Sequence, residues 1–170
     1  MLEETLQKIS PKLFSLLDSE ILPASNEKFI AKKQFVEGPE TGIIYMSEWF
    51  IGGFLSIEEE PQPERTLYRG RLASPSLSDP ILKKIGGEEK AKTSLQDFWI
   101  KLKAQRDGRA GELITNSGAN VFYIPDINNN IRVVAASYLD GWQLCYYKKQ
   151  HQFEWPVGTI IFYSSEVSCL

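Results

Sequence analysis

The chain has 170 residues, of which 22 are acidic and 19 basic, and its formal net charge is -3. Its composition, 42% hydrophobic and 24% charged, is typical of a folded globular chain, and its length fits one domain spanning 1–170. A chain of this size holds a core without disulfides or a metal. The charge balance argues against broad nucleic-acid binding, which needs a strongly basic face. We expect no nucleic-acid partner and no cofactor.

The termini and the apolar segments argue against export and membrane insertion. The amino terminus carries acids where a secretory signal carries basic residues. The most hydrophobic segment, 43–55, is shorter than the roughly 20 apolar residues of a membrane helix, and Glu48 interrupts it. Two cysteines, Cys145 and Cys169, are too few for a disulfide scaffold. The sequence therefore predicts no membrane association and a cytoplasmic location.

The amino-terminal region, 1–22, has leucine and isoleucine spacings typical of an amphipathic helix. Pro11 interrupts the pattern, and Ser10 is a suitable N-cap for a helix with proline in its first position. We therefore predict a short leading helix and a firmer second helix from residue 11 to about 19.

Residues 28–73 change to a strand pattern. The apolar run 42–57 predicts one long strand, or two strands joined near Gly52 and Gly53, where a bend or bulge is natural. A further strand is predicted at 66–73. The connections are too short for crossover helices, which favours antiparallel pairing.

Residues 78–106 return to a helical pattern. Ser78 begins a short helix that Gly86 ends, and Ser94 begins a second helix, with Asp97 three residues later in a capping-box arrangement. Together they form a central helical pair.

The last third, 119–164, predicts an antiparallel meander of four or five strands. Turns are indicated at 128–130 and at Asp140-Gly141, since Asp-Gly between two apolar runs is a strong hairpin signal. The predicted fold class is α+β: an amino-terminal helix, a curved antiparallel sheet or two packed sheets, the central helical pair and the carboxy-terminal meander. A partly open barrel is the alternative.

Few residues offer catalytic or metal chemistry. His151 is the single histidine, so any Ser-His or Cys-His site would require it, and Cys145 lies six residues away. We interpret the two as a surface histidine and a buried small hydrophobe. Asp126 and the asparagines that follow it resemble the start of a calcium loop, but Ile131 stands where that loop needs glycine. No metal site is predicted.

Two sets of residues are candidates for binding. The first is a row of guanidinium groups on one face of the predicted strand at 66–73, which would bind phosphate, carboxylate or an acidic partner. The second is aromatic: alternation places Trp142, Leu144 and Tyr146 on one face of a strand and Gln143, Cys145 and Tyr147 on the other. A strand that is apolar on both faces requires two coverings. The candidate binding residues are Arg65, Arg69, Arg71, Trp142, Tyr146 and Trp155.

Three functions remain open on this basis. The first is a non-catalytic binding or adaptor protein that docks a protein partner, or a second copy of itself, through a sheet surface or the aromatic meander. The second is a small-molecule carrier with an aromatic-lined pocket and an arginine anchor. The third is a carboxylate-dependent enzyme using residues such as Glu48 or Asp126. We rank them in that order.

Overall fold

The computed structural model describes residues 12–116 and 118–167. The described residues form a mixed α+β structure with nine strands and five helices. The strands are β1 (Phe14–Leu22), β2 (Phe29–Ile30), β3 (Ile43–Met46), β4 (Glu58–Glu59), β5 (Arg65–Leu72), β6 (Asn120–Pro125), β7 (Ile131–Tyr138), β8 (Trp142–Tyr147) and β9 (Ile160–Tyr163). The helices are α1 (Ala31–Gln34), α2 (Glu48–Phe54), α3 (Ser78–Ile85), α4 (Glu88–Ala91) and α5 (Leu95–Ala104).

Seven strands form one open sheet in the order β1-β5-β9-β6-β7-β8-β3, and β2 pairs with β4 in a separate ribbon. Most neighbours are antiparallel, but β9 is parallel to β6 and β3 is parallel to β8. Strands β1 and β3 are the two edges and do not pair with each other. The sheet is therefore not closed, unlike the barrel alternative.

Both faces of the sheet are covered by helices. Alternating residues of each strand pack into two separate cores: Phe122 and Ile124 of β6 lie in one, Val121 and Tyr123 in the other. Helices α1, α2 and α5 cover the first core, and helices α3 and α4 cover the second. The expectation that two apolar faces need two coverings is confirmed.

The helix predicted from residue 11 to about 19 is wrong, because β1 occupies Phe14–Leu22 and pairs with β5. The bulge between Leu16 and Ser19 disguises the strand pattern, since one extra residue reverses which face later side chains occupy. Phe14 accordingly packs in one core and Leu22 in the other. The leading helix predicted before residue 11 lies outside the described residues.

The strand predicted for the second half of the apolar run 42–57 is also wrong, because helix α2 occupies it. Strand β3 ends at Met46, and Ser47 caps helix α2 by accepting a hydrogen bond from the Phe50 backbone N–H at 3.1 Å. Phe50 and Phe54, four residues apart, are both buried on one side of this helix. Gly53 lets α2 approach β8 closely, since an added Cβ would lie 3.0 Å from the Tyr146 ring.

The central helices and the hairpin turns are confirmed. Helix α3 ends at Gly86, which has a left-handed φ of 114°, and Ser94 and Asp97 form the predicted capping box of α5. The β7–β8 hairpin turns at Asp140 and Gly141. Short helix α4 was not predicted.

The carboxy-terminal meander is correct for three strands only. Strands β6, β7 and β8 are consecutive antiparallel neighbours, but β9 lies on the far side of β6, between β6 and β5. In place of a fifth strand, the chain between β8 and β9 makes a single bridge, between Trp155 and Ser76. Within the described ranges, no helix is long and apolar enough to cross a membrane.

Candidate binding site: an aromatic cleft beside helix α2

The corner between β3 and α2 presents large apolar side chains to solvent. Trp49, in the first turn of α2, is 59% exposed, and Ile44, Tyr45 and Ile51 nearby in the chain are also exposed. Helix α2 buries its phenylalanines inward, which turns Trp49 to the outside. An exposed cluster of this kind is a feature that solvent alone does not favour.

Trp49 stands at the edge of a cleft of about 490 Å³. Its lining is mainly aromatic, with one charged side chain, Lys148. We call this feature the aromatic cleft; it is lined by Ser47, Trp49, Cys145, Tyr146, Tyr147, Lys148, Gln150 and His151.

One wall of the aromatic cleft is formed by Trp49 and Tyr146. Their rings meet edge to face at 5.9 Å, and Tyr146 makes a similar contact with Phe54 in the core. The Lys148 ammonium lies 5.7 Å from the centre of the Trp49 ring, within range of a cation–π contact. The exposed indole is therefore held against a rigid element.

A second group of aromatic contacts surrounds His151, which also lines the cleft. The His151 ring stacks on Phe153 at 4.1 Å and meets Tyr147 and Trp155 edge to face. Its Nε2 lies 2.6 Å from the Ser78 hydroxyl oxygen. The predicted surface turn is thus a packed wall, and this histidine is only partly exposed.

The Ser78–His151 pair does not have the arrangement of a nucleophilic site. Ser78 is fully buried, and its oxygen also accepts a hydrogen bond from the Trp155 indole N–H at 3.1 Å. His151 Nδ1 is buried without a partner among the described residues, so no third group orients the ring as in a triad. The pair joins the turn to α3.

Burial favours the uncharged forms of His151, Cys145 and Tyr147 in the cleft. Burial lowers the pKa of His151 below its usual 6.5. Burial also raises the pKa of the Cys145 thiol, and burial with the nearby Cys145 raises the pKa of Tyr147 to about 12. Lys148 is the one formal charge on an otherwise neutral surface.

The neighbouring sheet edge is protected against pairing with another strand. The Gly38 N–H donates to the Ile43 carbonyl at 2.9 Å, and the Met46 N–H donates to the Glu37 carboxylate at 3.1 Å. Edge groups satisfied in this way are not available to an added strand. These two contacts occupy part of the outer edge of β3.

Below the corner, Asp126 forms an internal network and not a calcium site. Its carboxylate accepts hydrogen bonds from the backbone N–H groups of Asn128 and Asn130, from Arg132 at 2.7 Å and from the Tyr146 hydroxyl at 3.4 Å. Burial alone would raise the pKa of Asp126, but these donors outweigh it and lower the pKa. No cluster of three or more metal-ligating side chains occurs in the described part of the chain.

The three candidate arginines do not form one binding face. Arg65 donates to Asp97 of α5 at 2.6 Å, and Arg69 forms two hydrogen bonds of 2.7 Å with Asp18 of β1. Arg71 alone of the three is exposed and has no ion pair among the described residues.

The three candidate aromatic residues separate in the same way. Trp142 is 0% exposed and its indole N–H donates to the Gln105 carbonyl at 2.8 Å, while Trp155 is 5% exposed and lies in the second core. Tyr146 is the one that reaches the aromatic cleft.

Sequence reasoning missed Trp49. Its region reads as a strand because the run is rich in β-branched and aromatic residues. The signal that would have found it is Ser47, an N-cap residue followed by Glu48 and by phenylalanines four residues apart.

Comparison with known proteins gives no assignment: no family model matches the chain, and neither a curated protein nor a solved structure matches it.

Proposed function

We propose that this protein is a non-catalytic binding protein that docks a protein partner at the aromatic cleft, with Trp49 as its anchor. The observation that carries the proposal is an exposed tryptophan, 59% accessible, held by Tyr146 at the edge of a 490 Å³ aromatic cleft. Tryptophan and tyrosine are over-represented among the residues that dominate binding energy at interfaces.

The docking surface differs from the sheet faces and the buried tryptophans that the sequence suggested. Helices cover both faces of the sheet, so neither is available to a partner without unfolding. The corner that includes Tyr45, Trp49 and Ile51 combines exposed apolar side chains with the aromatic cleft.

The lining defines the chemistry of the partner. An apolar side chain bound in the cleft would contact the rings of Trp49 and Tyr147, which would remove it from water. Lys148, the only charged residue lining the cleft, favours an acidic group beside that side chain. The partner segment is therefore an apolar anchor next to a carboxylate.

Trp49→Ala and Leu139→Ala provide a matched test. Leu139, in the β7–β8 turn, is 68% exposed and does not line the aromatic cleft. The two variants and the wild type are used to capture proteins from the natural source, and the captured proteins are quantified by mass spectrometry. We expect a partner that the wild type and Leu139→Ala retain equally and that Trp49→Ala loses at least tenfold. Equal capture by all three forms would contradict the proposal.

A small-molecule carrier is the second candidate, because the cleft volume of about 490 Å³ falls within the range of ligand pockets. The Trp49 side chain beside the cleft is 59% exposed, which favours the protein partner. Native mass spectrometry separates the two: a bound mass that denaturation releases, and that Trp49→Ala lacks, would favour the carrier.

A further inference from the structure

A second cleft, between α1 and the end of α5, has the opposite character from the first. It has a volume of about 570 Å³ and its charged lining consists of Lys33, Lys103, Arg106 and a single acid, Glu40. We call it the basic cleft. Three cations and one carboxylate leave a local charge of +2 on a chain whose net charge is -3.

The three cations are not neutralised by the protein itself. Within 12–116 and 118–167, none of them forms an ion pair, and Arg106 makes one long hydrogen bond of 3.5 Å to the Glu40 carbonyl. Lys103 lies in the last turn of α5, where the helix dipole favours a cation. Arg106 directly follows Gln105, the C-cap of the same helix, so the dipole also favours Arg106, whereas α1 has only four residues and gives Lys33 little dipole support.

The wall of the basic cleft is fixed by a close backbone contact. Gly42 has a left-handed φ of 75°, and a Cβ at this position would lie 1.9 Å from the Arg106 carbonyl oxygen. The Thr41 hydroxyl donates to the Val36 carbonyl at 2.5 Å, with the Gly38 carbonyl 3.2 Å away, and accepts from the Ile43 N–H at 3.2 Å. The loop that carries Glu40 is therefore held against the end of α5, which pre-organises the site.

The basic cleft also contains an aromatic surface. Trp99 of α5 is partly exposed there and is supported by an edge-to-face contact with Phe35 at 5.4 Å. In the described part of the chain, its indole N–H has no hydrogen-bond partner, so it is a further donor. Donors and positive charge exceed acceptors in this cleft.

We propose that the basic cleft binds a phosphate ester of a small organic molecule. The phosphate group lies among Lys33, Lys103 and Arg106, whose donors match its oxygens, and the organic part covers Trp99. The volume of about 570 Å³ exceeds what inorganic phosphate fills, which leaves room for the organic part.

The test uses isothermal titration calorimetry of the full chain with pyrophosphate, ADP and citrate at low and physiological salt. We expect ADP to bind more tightly than pyrophosphate, because adenine adds contact with Trp99, and both to bind more tightly than citrate. The double variant Lys103→Ala/Arg106→Ala should lose at least tenfold in ADP affinity. The double variant Lys83→Ala/Lys84→Ala is the control, since both lysines are exposed on α3, outside the cleft, and the charge change is the same.

Several results would overturn the proposal. They are absence of ADP and pyrophosphate binding at millimolar concentration, equal losses in the two double variants, and citrate binding as tight as pyrophosphate binding, which would show attraction to charge without preference for phosphate. Trp99→Leu keeps an apolar side chain against Phe35 and removes the aromatic surface that the organic part would cover. It should weaken ADP more than pyrophosphate, and an equal change would contradict the role given to Trp99. Thermal unfolding of each variant confirms that it is folded.

Discussion

The tryptophans of the carboxy-terminal region differ from those of helices α2 and α5 in burial and in the hydrogen bonding of the indole N–H. Trp142 and Trp155 are buried, and each indole N–H donates to an internal acceptor. Trp49 and Trp99 reach the surface beside clefts, and their N–H groups have no acceptor within the described residues. Trp142 and Trp155 therefore stabilise the fold, whereas Trp49 and Trp99 each present an apolar surface and an N–H donor at the surface of the protein.

The largest expected effect is on stability at Trp142. Trp142→Ala removes a side chain that is 0% exposed and leaves a cavity in the first core. The free energy of unfolding, measured by urea denaturation, should fall by about 3–5 kcal/mol. Trp142→Phe fills more of the cavity but leaves the Gln105 carbonyl without its donor. Its free energy of unfolding should lie between those of the wild type and Trp142→Ala. A loss below about 1 kcal/mol in Trp142→Ala would contradict the claim that Trp142 stabilises the fold as a core residue.

A smaller effect is expected at Trp155. Trp155→Phe keeps an aromatic ring in the second core but removes the N–H that donates to the buried Ser78 oxygen. The expected loss in the free energy of unfolding is about 1–3 kcal/mol by the same measurement. No loss would show that the Ser78 bond to Trp155 does not contribute to the fold.

The pH dependence of stability provides a third test, at His151. Its pKa is lowered in the folded state by burial, so the unfolded chain binds more protons as the pH falls below about 6.5. The contribution of His151 is complete above this pH and is lost as the pH falls through the lower, folded pKa. The free energy of unfolding should therefore decrease from pH 7 to pH 5 more in the wild type than in His151→Gln.

The comparison between wild type and His151→Gln is needed because Glu59 acts in the opposite direction. Burial raises the pKa of this carboxyl, so its contribution to stability increases as the pH falls. Both proteins share that effect, and it cancels in the difference. Identical pH profiles would show that His151 has no shifted pKa.

The sequence predicted those features that depend on local chemistry. The capping box at Ser94, the αL glycine at 86 and the Asp140-Gly141 turn each require particular residues at neighbouring positions. Apolar alternation on both faces of β8 also correctly indicated that the sheet has two covered faces.

The errors arise where tertiary pairing overrides a local pattern. The bulge in β1 breaks strict alternation, so its leucines resemble one side of a helix until pairing with β5 is known. The placement of β9 between β5 and β6 depends on contacts far apart in the chain. The exposure of Trp49 follows from α2, whose apolar residues resemble those of a strand.

Binding at the aromatic cleft is tested most directly by titration calorimetry. The measured quantity is the affinity of the purified partner for the wild type, Trp49→Ala and Leu139→Ala. If Trp49 is the anchor, the affinity for the partner should fall at least tenfold in Trp49→Ala, about 1.4 kcal/mol or more, and should not change in Leu139→Ala. Trp49→Ala should also retain the wild-type free energy of unfolding within about 0.5 kcal/mol, because the Trp49 side chain is mainly exposed. An unchanged affinity in a folded Trp49→Ala protein would contradict the assignment of the aromatic cleft as the binding site.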